Sequence, residues 1–397
     1  MSEQKQPKVR FSGFDDAWEQ CTLKDVSARI TRKNSNLESN LPLTISAQDG
    51  LVDQNTFFGK TIASKDTTGY FLLKKGEFAY NKSYSKGYPF GAVKRLDKYD
   101  EGVLSTLYIV FAPRHISSTF LAVYYDSKSW YKEIYRNAAE GARNHGLLNI
   151  SSSDFFDSKL TIPSDKNEQR FIGRFIKTID KLIAANQRQL EELKTIKKLA
   201  MQKIFDQEWR FNGFTDAWEQ RKLDKVAEYR NGKGHEKSIS SNGKYIVVNS
   251  KFVSTNGLVK KFTNIQMEPL VKGDIAFVLS DVPNGRALAR TFLISKNNKY
   301  SLNQRIAGIT PKNNISSFFL SSLMNRSPYF LKFDDGVSQT NLSKKDVENF
   351  AEMYPEFFEQ KKISALLKSI DNLLAANQSK SEQLKKLKKW FMQNMFM

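Results

Sequence analysis

Few residues in this chain have the types and spacing that catalysis needs. Its three histidines, His115, His145 and His235, form no metal-ligand spacing, and the single Cys21 cannot build a zinc cluster. No Gly-x-Gly-x-x-Gly turn and no phosphate-cradling Gly-x-x-x-x-Gly-Lys loop is present. An enzyme methylating exocyclic amines would need an Asn/Asp-Pro-Pro-aromatic loop, and none occurs. Glu359-Gln360-Lys361 resembles the end of an acidic–lysine nuclease motif. Glu168-Gln169-Arg170 repeats it, however, at a second helix start, where acids are favoured by the helix dipole in any case.

Recognition chemistry is far better represented. Lys and Arg number 62 against 42 Asp and Glu, a net charge of +20 over 397 residues. A surplus of that size is costly in self-repulsion unless a polyanion sits nearby. Arg and Lys suit guanine edges, Asn and Gln suit adenine, Asp can accept from cytosine, and Lys and Ser hold phosphates. Loops rich in these types supply the candidate DNA contacts. They are Lys82, Tyr84, Lys86, Arg143 and Asn144 in the first half, and Lys251, Asp281, Asn284, Arg286, Arg305 and Gln339 in the second. An anionic membrane is the weaker candidate. The longest apolar stretches, such as 107–112, fall far short of the ~20 residues a spanning helix needs, and the N-terminus is polar. A lone cysteine suits a reducing compartment, so a cytoplasmic location is expected.

An internal repeat organises the chain. Arg10-Phe-Ser-Gly-Phe-Asp-Asp-Ala-Trp-Glu-Gln20 recurs as Arg210-Phe-Asn-Gly-Phe-Thr-Asp-Ala-Trp-Glu-Gln220. Asn149-Ile150-Ser151 with Asp154 recurs as Asn341-Leu342-Ser343 with Asp346. Ile179-Asp180 through Asn186-Gln187 recurs as Ile370-Asp371 through Asn377-Gln378. Between these matched parts, roughly 30–140 and 230–335, no register aligns the halves. Like ends predict like joints related by a pseudo-two-fold axis; unlike middles predict two versions of one task.

After Glu168, Ile172, Ile176, Ile179, Ile183, Leu190 and Leu193 step by threes and fours, with Phe175, Leu182 and Ile196 widening the stripe. Ile363, Leu367, Ile370, Leu374 and Leu384 do the same, flanked by Leu366, Leu373 and Leu387. This spacing predicts two long helices pairing antiparallel as a coiled coil, with Asn186 and Asn377 as polar seam residues. Asp165 followed by Glu168 predicts a capping box at the first helix start. The basic helix ends, including Lys197 and Lys388, are expected to be solvated. The middles predict mixed α/β modules, with strands at 70–73, 77–81, 92–96, 105–111, 244–249 and 274–279 and helical runs at 118–137 and 315–330.

The order Phe-x-Gly-Phe-x-x-Ala-Trp-Glu-Gln, variable module, Pro-x-x-x-x-Glu-Gln and long helix, all given twice, resembles the specificity subunit of type I restriction–modification systems over nearly the whole chain. The stretches at 75–81 and 104–111 are similar to one class of target recognition domain in that family. The resemblance implies an α+β protein. Target recognition domains at 1–160 and 208–352 would be held apart by spacer helices at 161–207 and 353–397. It implies reading of a split, asymmetric site in double-stranded DNA, docking of two modification subunits that methylate adenine, and recruitment of restriction subunits that translocate and cleave. Trp18, Trp218, Ile179, Asn186, Ile370 and Asn377 would serve scaffold and docking. No cofactor is expected in this chain; S-adenosylmethionine, ATP and Mg belong, by the same resemblance, to the partner subunits. Two rival readings stay open: an adaptor binding nucleic acid without sequence preference, and a self-sufficient nuclease or methyltransferase.

Overall fold

The computed structural model describes residues 6–85, 87–137, 143–144, 147–148 and 150–396, with backbone alone at 137, 143, 144 and 147. The chain divides into two compact units, Met1–Arg188 with Gln378–Met397, and Gln189–Asn377. Each unit therefore holds part of both long helices, Lys166–Phe205 and Phe357–Asn394.

The two middles, which cannot be aligned as sequence, repeat one topology. In the first unit an antiparallel sheet runs Ser27–Arg29, Ile109–Pro113, Phe78–Asn81, Ala92–Arg95. In the second the same order is Ala227–Asn231, Ile306–Pro311, Ile275–Val278, Thr291–Leu293. A further set of strands also corresponds. Leu43–Ser46 pairs with Gly50–Asp53, Phe71–Lys74 pairs with Glu101–Leu104, and a parallel bridge from Pro42 to Val103 joins the two pairs. In the second unit these become one sheet, Lys261–Thr263, Tyr245–Val248, Tyr300–Leu302, Pro269–Leu270, parallel at its centre.

Alternation of polar and apolar residues is weak in these strands because both sheet faces are covered. Phe78, Tyr80 and Phe111 face one core while Ala79 and Val110 face another. Ile275, Phe277 and Ile309 against Ala276, Val278 and Ile306 repeat the division. The helical runs expected at 118–137 and 315–330 are each broken in two. Ser118–Asp126 ends where the Ser127 hydroxyl donates to the Tyr124 carbonyl at 2.6 Å, and Tyr131–Asn137 follows. Ser317–Met324 is separated from Pro328–Leu331 by Ser327, which caps the second piece, whose first residue is Pro328.

Outside the modules, Glu19–Thr22 pairs with Lys159–Ile162, and Glu219–Lys222 pairs with Ala351–Tyr354. Burial in the first of these pairs pushes the Cys21 thiol up to about 11. Thiolate is then scarce at pH 8, and alkylation by iodoacetamide is expected to run about a hundredfold slower than for an unshifted thiol. Rapid labelling of the folded chain would contradict that placement.

Within each unit the long helices pack antiparallel. In the first, the Phe175 and Phe391 rings meet edge to face at 4.7 Å, and Lys388 Nζ reaches Asp180 Oδ1 at 2.5 Å. In the second, Lys197 Nζ reaches Asp371 Oδ1 at 2.5 Å. Lys197 and Lys388 are repeat equivalents, as are Asp180 and Asp371. These lysines thus link the helices rather than standing solvated. Ile172, Ile176, Ile179, Asn186 and Leu190 are buried, as are Ile363, Leu367 and Ile370. Leu182, Ile196, Leu366, Leu373 and Leu387, expected to widen the stripe, are exposed instead, because a two-helix contact covers only a narrow seam.

Candidate nucleic-acid interface

At each joint between module and long helix, one buried carboxylate gathers three groups. Arg10 Nε and Nη2 donate to the two oxygens of Glu168 at 2.7 and 2.8 Å, and Trp18 Nε1 donates at 3.3 Å. Arg210 Nε and Nη2 donate to Glu359 at 3.0 and 2.6 Å, and Trp218 Nε1 at 3.2 Å. The hydrogen bonds to Glu168 and Glu359 hold both guanidiniums above their usual pKa. The adjacent glutamines are equally matched. Gln169 accepts from the Ser117 amide at 2.8 Å and donates to the Pro163 carbonyl at 2.8 Å. Gln360 accepts from the Ser316 amide at 2.9 Å and donates to the Pro355 carbonyl at 2.9 Å.

The repeated Glu-Gln pair is therefore a structural lock, and the resemblance to a nuclease motif is incidental. The capping box expected at the first helix start is not formed. Asp165 caps the Asn167 amide at 2.7 Å, but Glu168 turns to Arg10 and Trp18. Reciprocal boxes are found one helix earlier, at Ser151 with Asp154 and Ser343 with Asp346. Trp18 and Trp218 are buried and belong to the scaffold, leaving little indole surface for a partner. Ile179, Ile370 and Asn186 are likewise interior, and Asn377 is half-buried, its side-chain amide donating to the Leu373 carbonyl at 2.9 Å.

The recognition candidates lie on loops of the two modules. In the second unit, the chain leaving Ile275–Val278 forms a short pair, Ser280–Asp281 with Thr340–Asn341. That pair brings the 281–288 and 334–339 loops side by side. Asp281 organises the first loop, accepting from the Val282 amide at 2.9 Å and from the Ala287 and Leu288 amides at 2.6 and 3.1 Å. A Cβ on Gly285 would lie 2.1 Å from that carboxylate, so a larger residue there would have to push it off the amides it holds. From outside the loop, Arg326 Nη1 donates to the Gly285 and Leu288 carbonyls at 3.3 and 3.2 Å. Asn284 donates to the Gly336 carbonyl at 3.2 Å, and Gln339 to Ser280 Oγ at 3.0 Å.

Arg286 and Arg305 are exposed beside this pair, and the Arg305 carbonyl accepts the Leu279 amide at 3.0 Å. The structure thus brings together Asp281, Asn284, Arg286, Arg305 and Gln339. Asp281 has its carboxylate committed to amides and shapes the loop rather than offering an acceptor to cytosine. Lys251 is exposed on the separate short helix Ser250–Ser254. His235 is buried, its Nδ1 2.7 Å from the Lys233 carbonyl and its Nε2 2.8 Å from Ser301 Oγ, which is a structural arrangement.

The first unit places its loop after the corresponding strand, Phe78–Asn81. Asn81 Oδ1 accepts the Ser83 amide at 2.9 Å, and Tyr84 follows, exposed. The Lys82 carbonyl accepts the Leu148 amide at 3.2 Å, and its ammonium donates to the Ile150 carbonyl at 3.2 Å, so Lys82 braces the loop. Arg143–Asn144 pairs with Leu147–Leu148 as backbone. The side chains of Arg143 and Asn144, and the whole of Lys86 and His145, lie outside the described residues. Among the described residues, no group of His, Cys, Asp and Glu could hold a metal ion, and no helix is long and apolar enough to cross a membrane.

Comparison with known proteins places this geometry. Residues 215–386 match the type I restriction modification DNA specificity domain. The specificity subunit of the type I restriction enzyme MjaVIII of Methanocaldococcus jannaschii is 25% identical over 315 residues, covering 74% of this chain and 73% of that protein. The putative MjaX specificity subunit of the same organism is 22% identical over 416 residues, covering 98% and 95%. The crystal structure of a type I restriction–modification S subunit from M. genitalium shares the fold, with a TM-score of 0.61 at 16% identity and 99% coverage of both chains. The doubled joint, the repeated modules and these matches together support a specificity subunit of the type I restriction–modification kind.

Proposed function

We propose that the chain reads a two-part DNA sequence, one part through each module, and carries no catalytic site. The observation behind this is the repeated sheet order in both units, each with a loop rich in recognition residue types after the same strand, and different residues in the two loops. A repeated scaffold with dissimilar tips suits two different half-sites. The net charge of +20 would draw DNA in a salt-dependent manner. The antiparallel helices would hold the modules apart, and half-sites about one helical turn apart would let both read one face of the duplex. Two modification subunits would dock on the repeated scaffold and methylate an adenine flipped from the stack, using S-adenosylmethionine. Restriction subunits, with ATP and Mg, would add translocation and cleavage.

Binding of the full chain to its own site and to a scrambled duplex, across a salt series, tests this reading. A preference of at least about a thousandfold for the site is expected. Arg286→Ala should cost about 1–3 kcal/mol on the site and much less on scrambled DNA if it reads a guanine edge. Equal affinity for both duplexes at every salt concentration would favour the adaptor without sequence preference.

A further inference from the structure

Two of the most exposed apolar side chains in the second unit sit on the loop pair just described, where the sequence-reading candidates gather. Val282 is 63% exposed and Val337 is 84% exposed. Neither packs in a core cluster. Their backbones, by contrast, are held firmly. The Val282 amide donates to Asp281 Oδ1 at 2.9 Å. The Val337 amide donates to Asp335 Oδ1 at 2.9 Å, and the Ser338 amide and hydroxyl donate to the same carboxylate at 2.9 and 2.8 Å. These hydrogen bonds, from Ser338 and Val337, keep the Asp335 carboxyl below its usual pKa.

The loops also lock to one another. Asn284 donates to the Gly336 carbonyl, and a Cβ on Gly336, at φ +72°, would stand 3.2 Å from the Asn284 amide. Thr340 and the Gly336 amide both donate to Asp334 at 3.3 and 3.1 Å. The aspartates of this region thus accept from amides and hydroxyls of the loops themselves. Stiff, β-branched side chains are thus exposed on hydrogen-bonded backbone, in the same two loops as exposed Arg286 and Gln339. An apolar group exposed in this way stabilises nothing in the free protein. It becomes useful when an apolar partner meets it on a polyanion, and the major groove offers one such group, the 5-methyl of thymine.

We propose that Val282 and Val337 read thymine methyl groups in the half-site of the second module, an inference that rests on the sequence-reading function proposed above. In the first unit Tyr84, 57% exposed, follows the corresponding strand, after an Asn81 that caps the Ser83 amide.

The test is selection by the full chain from two random duplex pools, one made with thymine and one with uracil, which lacks only the methyl group. The wild type is expected to enrich a motif with at least one thymine whose enrichment falls about fourfold per position in the uracil pool, the worth of one buried methyl. The exposed variants Val282→Ser and Val337→Ser should enrich the rest of the motif normally and lose that difference at the position each valine reads. A motif identical in both pools, or serine variants that keep the difference at every position, overturns the valine assignment alone. No enriched motif in either pool overturns the sequence-reading function together with it.

Discussion

Glu168→Ala is expected to destabilise the first unit by about 3–5 kcal/mol, the usual cost of removing one partner from a buried ion pair. The Glu168 side chain is fully buried and that of Arg10 is 12% exposed, so little water is available to replace the carboxylate. Three donors lose their acceptor at once: two nitrogens of Arg10 and the indole of Trp18. Glu168→Gln keeps an acceptor but removes the counter-charge, and an intermediate loss is expected. Glu359→Ala should do the same to the second unit, where the Glu359 side chain is 1% exposed and that of Arg210 is 23% exposed. Urea unfolding followed by tryptophan emission reads the effect, since Trp18 and Trp218 sit on the carboxylates concerned. A change below about 1 kcal/mol would mean that the lock contributes no more than a surface pair.

The second large effect concerns residues 1–207 expressed alone, which are expected to form a dimer that binds an inverted repeat. In the full chain the core of the first unit is completed by Met395 and Phe396, just past the end of the second long helix, beside Ile172, Ile176 and Ile179. Ile204 and Phe205 play the same part in the second unit. The matched contacts are close in geometry. Phe396 lies 5.8 Å from Phe120, and Phe205 lies 5.8 Å from Phe319. Trp18 and Trp218 sit 6.3 and 6.2 Å from the same two phenylalanines.

A fragment ending at 207 keeps Ile204 and Phe205 but lacks the segment that covers its own Ile172–Ile179 face. A second copy supplies the equivalent residues in the equivalent place. Light scattering should give twice the monomer mass, and Phe205→Ala within the fragment should weaken the dimer by about 3–5 kcal/mol. A folded, stable monomer of 1–207 would contradict the equivalence.

The sequence made some levels of this structure readable and concealed others. The long helices were visible because a narrow seam needs apolar residues at fixed spacing, and Ile172, Ile176 and Ile179 supply them. Strand positions were also visible, at 71–74, 78–81 and 275–278, as short apolar runs. Their shared topology was not. A strand buried on both faces accepts nearly any apolar residue, so Phe78-Ala79-Tyr80 and Ile275-Ala276-Phe277 keep their place in the sheet without keeping a recognisable sequence. Arg10 and Arg210 stand within the repeat beside Trp18 and Trp218, and their repetition together with Glu168 and Glu359 marks the lock in the sequence itself. Arg326 gave no such signal. It lies far along the chain from the loop it braces, and only folding brings it to the Gly285 and Leu288 carbonyls. The same holds for the Asp281 carboxylate, whose commitment to the loop amides is a matter of three-dimensional geometry.

Two separate readers on one scaffold are tested most directly by mapping adenine methylation in a host carrying this chain with the modification subunits proposed for it, before and after exchanging residues 30–148 for the module of a type I specificity subunit. The expected result is a two-part methylated motif in which one part changes with the exchange while the other part stays the same. Methylation whose two parts change together, or a motif indifferent to the exchange, would contradict the assignment of one half-site to each module.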